Sequence, residues 1–289
     1  MMKRFGGIEK EYTEFESSSV LLQSIPYDGT STWGKGADRA FDVFLEASEN
    51  MELYDIETDS EVYKQGIHIL PEITESSSPE MVFRAVYESA KKLLQTNKFL
   101  TFFGGEHSIS IGIMKAYYEK FQDITILQLD AHADLRESYL GSRYNHACAL
   151  HEANKHANLV QVGIRSMDVS EKQYLNRDKC FFAEDMYNND KWMEDSIGLM
   201  SDNVYVTIDL DALDPSVMPS TGTPEPGGMD WNSTIKYLKK VFSKKNVLGF
   251  DIVEFAPIDN LKGPGFLVAK LYYKLLSYKF NNEDVKGDL

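Results

Sequence analysis

Short apolar segments recur along this chain, each followed by a stretch with helical spacing, and that alternation restricts its fold more than any other feature. The spacing predicts strands at 20–25, 99–103, 124–129, 158–164, 203–208 and 247–253, with a short one at 180–183. Helices are expected at 37–50, from Pro79 to about 97, and at 108–121, 170–178, 190–200, 230–243 and 263–280. Proline at 79 suits the first turn of a helix, where its missing N–H costs nothing. Strands alternating with helices imply an α/β fold with a mainly parallel sheet covered on both faces. No Gly/Ser-rich linker or internal repeat divides residues 1–289, so a single domain is expected, with a frayed polar tail from about 281.

The chain is 43% hydrophobic, enough for a substantial core, and its formal charge is −15. That acidity disfavours nucleic acid and anionic membrane surfaces as partners and favours a small cation. The two cysteines, Cys148 and Cys180, have neither metal-type nor redox-type spacing. No apolar signal segment opens the chain, and no apolar run is long enough to cross a bilayer. A cytoplasmic location is the expectation.

Three clusters of ionisable residues follow predicted strands: Gly-Gly-Glu-His ending at His107, Asp130-Ala-His132-Ala-Asp134, and Asp209-Leu-Asp211. The C-terminal edge of a parallel sheet is where ligands bind. On an extended segment, residues i, i+2 and i+4 share a side, so Asp130, His132 and Asp134 are expected to converge, as are Asp209 and Asp211. Gly104 and Gly105 would let the backbone turn tightly before His107. A lone aspartate after a strand is commonly a cap or turn residue. Three such clusters at three strand ends are better explained by a pair of divalent cations. With two imidazoles, no thiolate and a majority of carboxylates, the set suits Mn²⁺ better than Zn²⁺. Two ions roughly 3.5–4 Å apart need bridging carboxylates, and Asp130 and Asp209 head their clusters. Water held between them would have its pKa lowered toward ~7.

The chain resembles the ureohydrolase family of arginases and agmatinases. The resemblance rests on Gly104-Gly-Glu-His-Ser108, Asp130-Ala-His-Ala-Asp134, Asp209-Leu-Asp-Ala-Leu-Asp-Pro215 and Gly222-Thr-Pro-Glu-Pro-Gly-Gly228, with Pro26-Tyr-Asp-Gly-Thr30 and Asp251-Ile-Val-Glu254 in support. It implies a three-layer α/β/α fold shared with arginases and deacetylases, two Mn²⁺ per chain, and hydrolysis of a guanidine to urea and an amine. It implies that His107, Asp130, Asp134 and Asp209 hold one ion, and Asp130, His132, Asp209 and Asp211 the other. Asp134 would also orient the bridging hydroxide, Glu254 would pair with the substrate guanidinium, and His146 would shuttle a proton to the leaving amine. It further implies a homo-oligomer, trimer or hexamer. Thr207 stands where the family usually has Ser, and Ser220 where it often has Gly.

The loop 135–146 is closer to agmatinases than to arginases, which carry an Asn and a Ser there. Agmatine, cleaved to putrescine and urea, is therefore the expected substrate, which would place the enzyme in polyamine biosynthesis. Arginine, guanidinobutyrate and an aminopropyl-agmatine are the alternatives. Arg136 and Arg143 either face outward or signal one of these other guanidines. A catalytically silent binding relative is the non-enzyme alternative, and the intact ligand set argues against it. His151 and His156 are expected on surface loops, along with His68 unless it is packed, and Cys148 is expected to be a small buried neighbour of the site.

Overall fold

The computed structural model describes residues 3–187 and 189–281. In chain order its main elements are β1 (Val20–Ile25), α1 (Ala40–Ser48), β2 (Ile67–Ile69), α2 (Pro79–Leu93), β3 (Phe99–Gly104), α3 (Ile109–Lys120), β4 (Ile124–Leu129), α4 (His151–His156), β5 (Asn158–Ile164), β6 (Cys180–Phe182), α5 (Ala183–Met186), α6 (Lys191–Gly198), β7 (Asn203–Asp209), α7 (Trp231–Lys244), β8 (Asn246–Val253) and α8 (Lys262–Phe280). The strands form one sheet in the order β2-β1-β3-β8-β7-β4-β5-β6, and every pairing is parallel. Helices cover both faces, so the fold is the expected three-layer α/β/α arrangement.

The two helical layers follow from the pleat. On β7, Val204, Val206 and Ile208 face one way and pack with α1, α6, α7 and α8. Tyr205 faces the other way, into the layer built by α2, α3 and α4. Because both faces are covered, the central strands read as unbroken apolar runs rather than alternating ones. A fully buried side chain such as Leu127 contributes about 1.5–3 kcal/mol. Side-chain caps start two of the long helices. Ser78 accepts from the Met81 N–H at α2, and Asp230 accepts from the Ser233 N–H at α7.

Several local expectations change. The segment 170–178 is not an α-helix but two 3₁₀ turns, Val169–Gln173 and Arg177–Lys179. Asp168 and Glu171 close a capping box on the first, and Asn176 caps the second, so polar side chains take backbone donors that a continuous helix would use. The helix expected from 37 begins as a 3₁₀ turn, Ala37–Arg39, after Gly36 at φ 126, and α2 stops at Leu93, short of 97. The edge strand β2 and the short α4 were not anticipated. His151 is no loop histidine: it opens α4, is 3% exposed, and its Nδ1 lies 2.8 Å from the Leu135 carbonyl. His156 closes the same helix with an exposed ring, and His68 is half-buried in β2 against the Thr13 carbonyl. Cys148 is buried. Of the expected tail, residues 282–289 lie outside the described residues. No helix among the described residues is long and apolar enough to cross a membrane.

Candidate metal centre and its cavity

Four adjacent central strands, β3, β8, β7 and β4, deliver the cluster at their C-terminal ends. His107 follows β3, Glu254 follows β8, Asp209 ends β7 and Asp130 follows β4. A Cβ at Gly105 would collide with the Tyr27 carbonyl, so this position admits only glycine before His107.

The six candidate ligands come together. His107 Nδ1 lies 3.1 Å from Asp130 Oδ2, 3.1 Å from Asp134 Oδ2 and 3.3 Å from Asp209 Oδ2. His132 Nδ1 lies 2.9 Å from Asp211 Oδ2 and 3.6 Å from Asp130 Oδ1. His107, Asp130 and Asp134 form one ligating group, and Asp130, His132 and Asp211 a second, each with its atoms within 4.8 Å of one another. Asp130 belongs to both groups, whereas Asp209, the other carboxylate expected to bridge, belongs to neither. Asp209 approaches the first group through His107.

The convergence is not achieved by extended backbone. Asp134 sits at φ 52, in the left-handed region, with its carbonyl accepting from the Leu150 N–H. Leu210–Ala212 is a 3₁₀ turn capped by Asp209. The carboxylates shape their own loops: Asp130 Oδ1 accepts from His132 N, Asp209 Oδ1 from Asp211 N, and Asp211 Oδ1 from Ala131 N. Asp209 and Asp211 therefore keep one oxygen for the chain and turn the other toward the cluster.

Electrostatics make the site receptive to cations. Burial, then the charge of Asp130, raises the Asp134 carboxyl to about 7. Burial, then Asp211 and Asp130, raises Asp209 well above the carboxylate range. Asp130 goes the other way: burial opposes its charge, but His107 and His132 hold it below that range. Burial also opposes charge on His132, yet Asp211 and Asp130 push it up to about 12. His107 is likewise driven well above its ordinary value by the surrounding carboxylates against the effect of burial. Its buried Nδ1 nevertheless makes no hydrogen bond among the described residues. A nitrogen aimed at three carboxylate oxygens without a hydrogen bond fits a cation, and the donor set is compatible with one or two metal ions.

A pH dependence follows. An unfolded Asp titrates near ~3.9, whereas Asp134 in the metal-free fold titrates at about 7. A raised folded pKa adds stability that is complete below ~3.9 and is lost as pH climbs through about 7. Bound divalent cations displace those protons and offset the carboxylate repulsion. The rise in Tm on adding Mn²⁺ is therefore expected to be larger at pH 8 than at pH 6, by roughly 5 °C. Calorimetry with and without metal at both pH values checks this, and a smaller rise at pH 8 would contradict it.

The cavity over the cluster is small, about 160 Å³. A larger groove of about 590 Å³ runs between α1 and the start of α8, but it gathers no comparable set of ligating side chains, so chemistry outweighs volume here. His146 and Glu254 both line the small cavity. Glu254, at φ 62, accepts from the His107 N–H at 2.8 Å through Oε1. Burial and then the Glu106 charge raise its carboxyl well above the usual range. His146 Nδ1 lies 3.2 Å from Thr30 Oγ1, and burial pulls the ring down to about 4.

Further residues line or flank the cavity. Thr30 also accepts from the His146 N–H at 3.0 Å. Asp168 lines the mouth, where Arg136 lies 3.7 Å from its Oδ2 and 4.5 Å over the Tyr139 ring. Arg136 thus faces the cavity, while Arg143 is exposed. Glu225, from the Gly222–Gly228 loop, reaches within 3.8 Å of His132 Nε2. The sequence signal for Thr30 was its place in the Pro26–Thr30 motif. For Asp168 there is none, because it falls in the connection between the strand expected to end at 164 and the helix expected from 170.

Comparison with known proteins agrees with this geometry. The Arginase family matches residues 18–277. The N(1)-aminopropylagmatine ureohydrolase of Synechocystis sp. is 31% identical over 283 residues, spanning 92% of this chain and 90% of its own. The agmatinase of Pyrococcus horikoshii is 31% identical over 252 residues, 86% of this chain and 87% of its own. The agmatine ureohydrolase structure of Thermoplasma volcanium superposes with a TM-score of 0.87 at 28% identity, covering 99% of this chain and 97% of that one. With the family matched over most of its length and the acidic cluster assembled at the sheet edge, the chain belongs to the ureohydrolase family of arginases and agmatinases.

Proposed function

We propose that the protein hydrolyses the guanidine group of a small cationic guanidine, agmatine first among them, to urea and an amine, with two Mn²⁺ per chain. The observation that carries the reading is the meeting of six imidazole and carboxylate side chains, four of which, His132, Asp134, Asp209 and Asp211, line one cavity with Glu254. His107, Asp130, Asp134 and Asp209 would hold one ion, and Asp130, His132, Asp209 and Asp211 the other. When bound, the pair supplies Lewis acidity and lowers the pKa of water from about 15.7 toward ~7.

The chain's own residues supply the rest. Asp134 turns Oδ2 to His107, which leaves Oδ1 to accept a hydrogen bond from the attacking water. Glu254 presents Oε2 beside Gly222, where a Cβ would come within 3.5 Å of it. A guanidinium placed there restores the ionised carboxylate and fixes the carbon for attack. His146 enters neutral, because its pKa is held at about 4. It acts as acceptor first and becomes a donor only after taking a proton. With Nδ1 engaged by Thr30, Nε2 is the nitrogen to carry that proton to the departing amine. Water oxygen bonds to the guanidine carbon, the C–N bond to the amine breaks, and urea and a protonated amine leave.

Asp168 lines the cavity as a carboxylate for a distal amine, with Arg136 3.7 Å from it, and Glu225 adds a second carboxylate near His132. This favours chains that end in an amine over arginine, whose α-carboxylate would face these like charges. An aminopropyl-extended agmatine is the second reading, favoured by the name of the Synechocystis relative. The test is urea release with added Mn²⁺ from agmatine, N1-aminopropylagmatine, arginine and guanidinobutyrate. Arginine is expected roughly 10²-fold below the best amine substrate in kcat/KM. Preference for the aminopropyl substrate selects the second reading. No Mn²⁺-dependent urea from any of the four would overturn the function.

A further inference from the structure

Directly beneath the candidate ligands the sheet carries a row of polar side chains where its neighbours are apolar. Gln161 of β5, Gln128 of β4, Thr207 of β7 and Asp251 of β8 stand opposite one another in register. All four are buried. On the same face, Ile126, Leu159, Tyr205 and Val253 belong to the apolar layer under α2 and α3. Buried polar groups are costly unless hydrogen-bonded, and every member of the row is.

The bonds lead upward to the cluster and have a direction. Gln161 Nε2 donates to Gln128 Oε1 at 2.7 Å and to the Ala133 carbonyl at 2.9 Å. Gln128 Nε2 donates to Asp130 Oδ2 at 2.7 Å and to the His132 carbonyl at 3.1 Å. On the other side, Tyr205 OH donates to Asp251 Oδ2 and Thr207 Oγ1 to Asp251 Oδ1, both at 2.6 Å. Thr207 Oγ1 also lies 3.0 Å from His107 Nε2. A threonine has one hydroxyl proton. With that proton on Asp251, the oxygen can only accept, so His107 presents N–H at Nε2 and turns Nδ1 to the carboxylates.

We propose that this row is a positioning tier: Asp251, acting through Thr207, fixes the tautomer and aim of His107, and Gln161, acting through Gln128, fixes Asp130. Affinity for the metal pair is then set partly by residues that touch neither metal nor substrate. The inference rests on the metal-dependent function proposed above.

The test is Mn²⁺ titration of metal-stripped protein by calorimetry, alongside the melting temperature of the metal-free form. Thr207→Val keeps the shape and removes the hydroxyl. It is expected to lower Mn²⁺ affinity about 10–100-fold, while Thr207→Ser stays within ~3-fold of wild type. Asp251→Asn is isosteric but removes the charge and leaves one acceptor oxygen for two hydroxyl donors, Thr207 and Tyr205, so the hold on the Thr207 proton, and through it on the His107 tautomer, is weakened or lost. It is expected to lose affinity on the same scale with a metal-free melting temperature near wild type. Wild-type affinity in either Thr207→Val or Asp251→Asn overturns the proposal. So does a loss of affinity that merely tracks a lower metal-free melting temperature. Should Thr207→Val fail to fold, Asp251→Asn decides. A wild-type protein that takes up no Mn²⁺ defeats the proposed function itself, which is a separate outcome.

Discussion

Asp209→Asn is expected to abolish Mn²⁺-dependent urea release while leaving the fold in place. Asparagine retains an oxygen to accept from the Asp211 N–H, the bond that caps the following turn. What disappears is the charge on the oxygen 3.3 Å from His107 Nδ1. A buried carboxylate among like charges is a burden in the metal-free protein, where burial and Asp211 raise Asp209 far above its ordinary range. The metal-free variant should therefore melt at or above the wild-type temperature. The metal-loaded state loses a ligand, and with it transition-state stabilisation of several kcal/mol, a fall in kcat of roughly 10³-fold or more. Asp130→Asn should behave alike, because Asp130 belongs to both ligating groups. Metal content by mass spectrometry, urea release and calorimetry together decide it. A variant that retains two ions and full activity would remove Asp209 from the site.

How much of this could be read from the sequence depends on where the information lies. β1, β4 and β5 begin and end at the expected residues, because a continuous apolar run bounded by polar residues has one comfortable place, inside a covered parallel sheet. The segment after β5 misled for the opposite reason. Asp168, Glu171 and Asn176 have helix-compatible spacing, but their side chains bond the backbone locally and cut the helix into turns. α4 was hidden because His151 and His156 looked like solvated loop residues, although His151 packs edge-on against Tyr174.

The site shows the same division. That His107, Asp130, His132, Asp134, Asp209 and Asp211 gather at the sheet edge was legible, since each follows a strand. How they gather was not: a left-handed residue at Asp134 and a 3₁₀ turn at Leu210–Ala212 do what extended backbone was expected to do. The tier below was invisible. Gln128 in Ile-Thr-Ile-Leu-Gln-Leu looks like one polar interruption of a strand, and Asp251 like part of a motif. Their meaning comes from strand register, and β4, β7 and β8 are brought together by crossovers that linear spacing does not encode.

Glu254→Gln is expected to separate substrate binding from metal binding. Glutamine can still accept from the His107 N–H through Oε1, so the turn after β8 and the aim of His107 persist. Its other terminus becomes an amide N–H₂, which only donates. A guanidinium also only donates, so the exchange replaces a charge-assisted fork with donors facing donors. Removing one partner of a buried charge pair costs about 3–5 kcal/mol. The expected loss in kcat/KM is therefore roughly 10²–10⁴-fold, carried mainly by KM, since the guanidine-derived cation is held from ground state onward. Mn²⁺ stoichiometry should stay at the wild-type value. The metal-free variant should be no less stable, because Glu254 is a carboxylate that burial and Glu106 already discourage from ionising. Calorimetric titration with metal, then with substrate, distinguishes this from Asp209→Asn, which fails at the first step. Normal turnover in Glu254→Gln would mean that the guanidinium is bound elsewhere in the cavity.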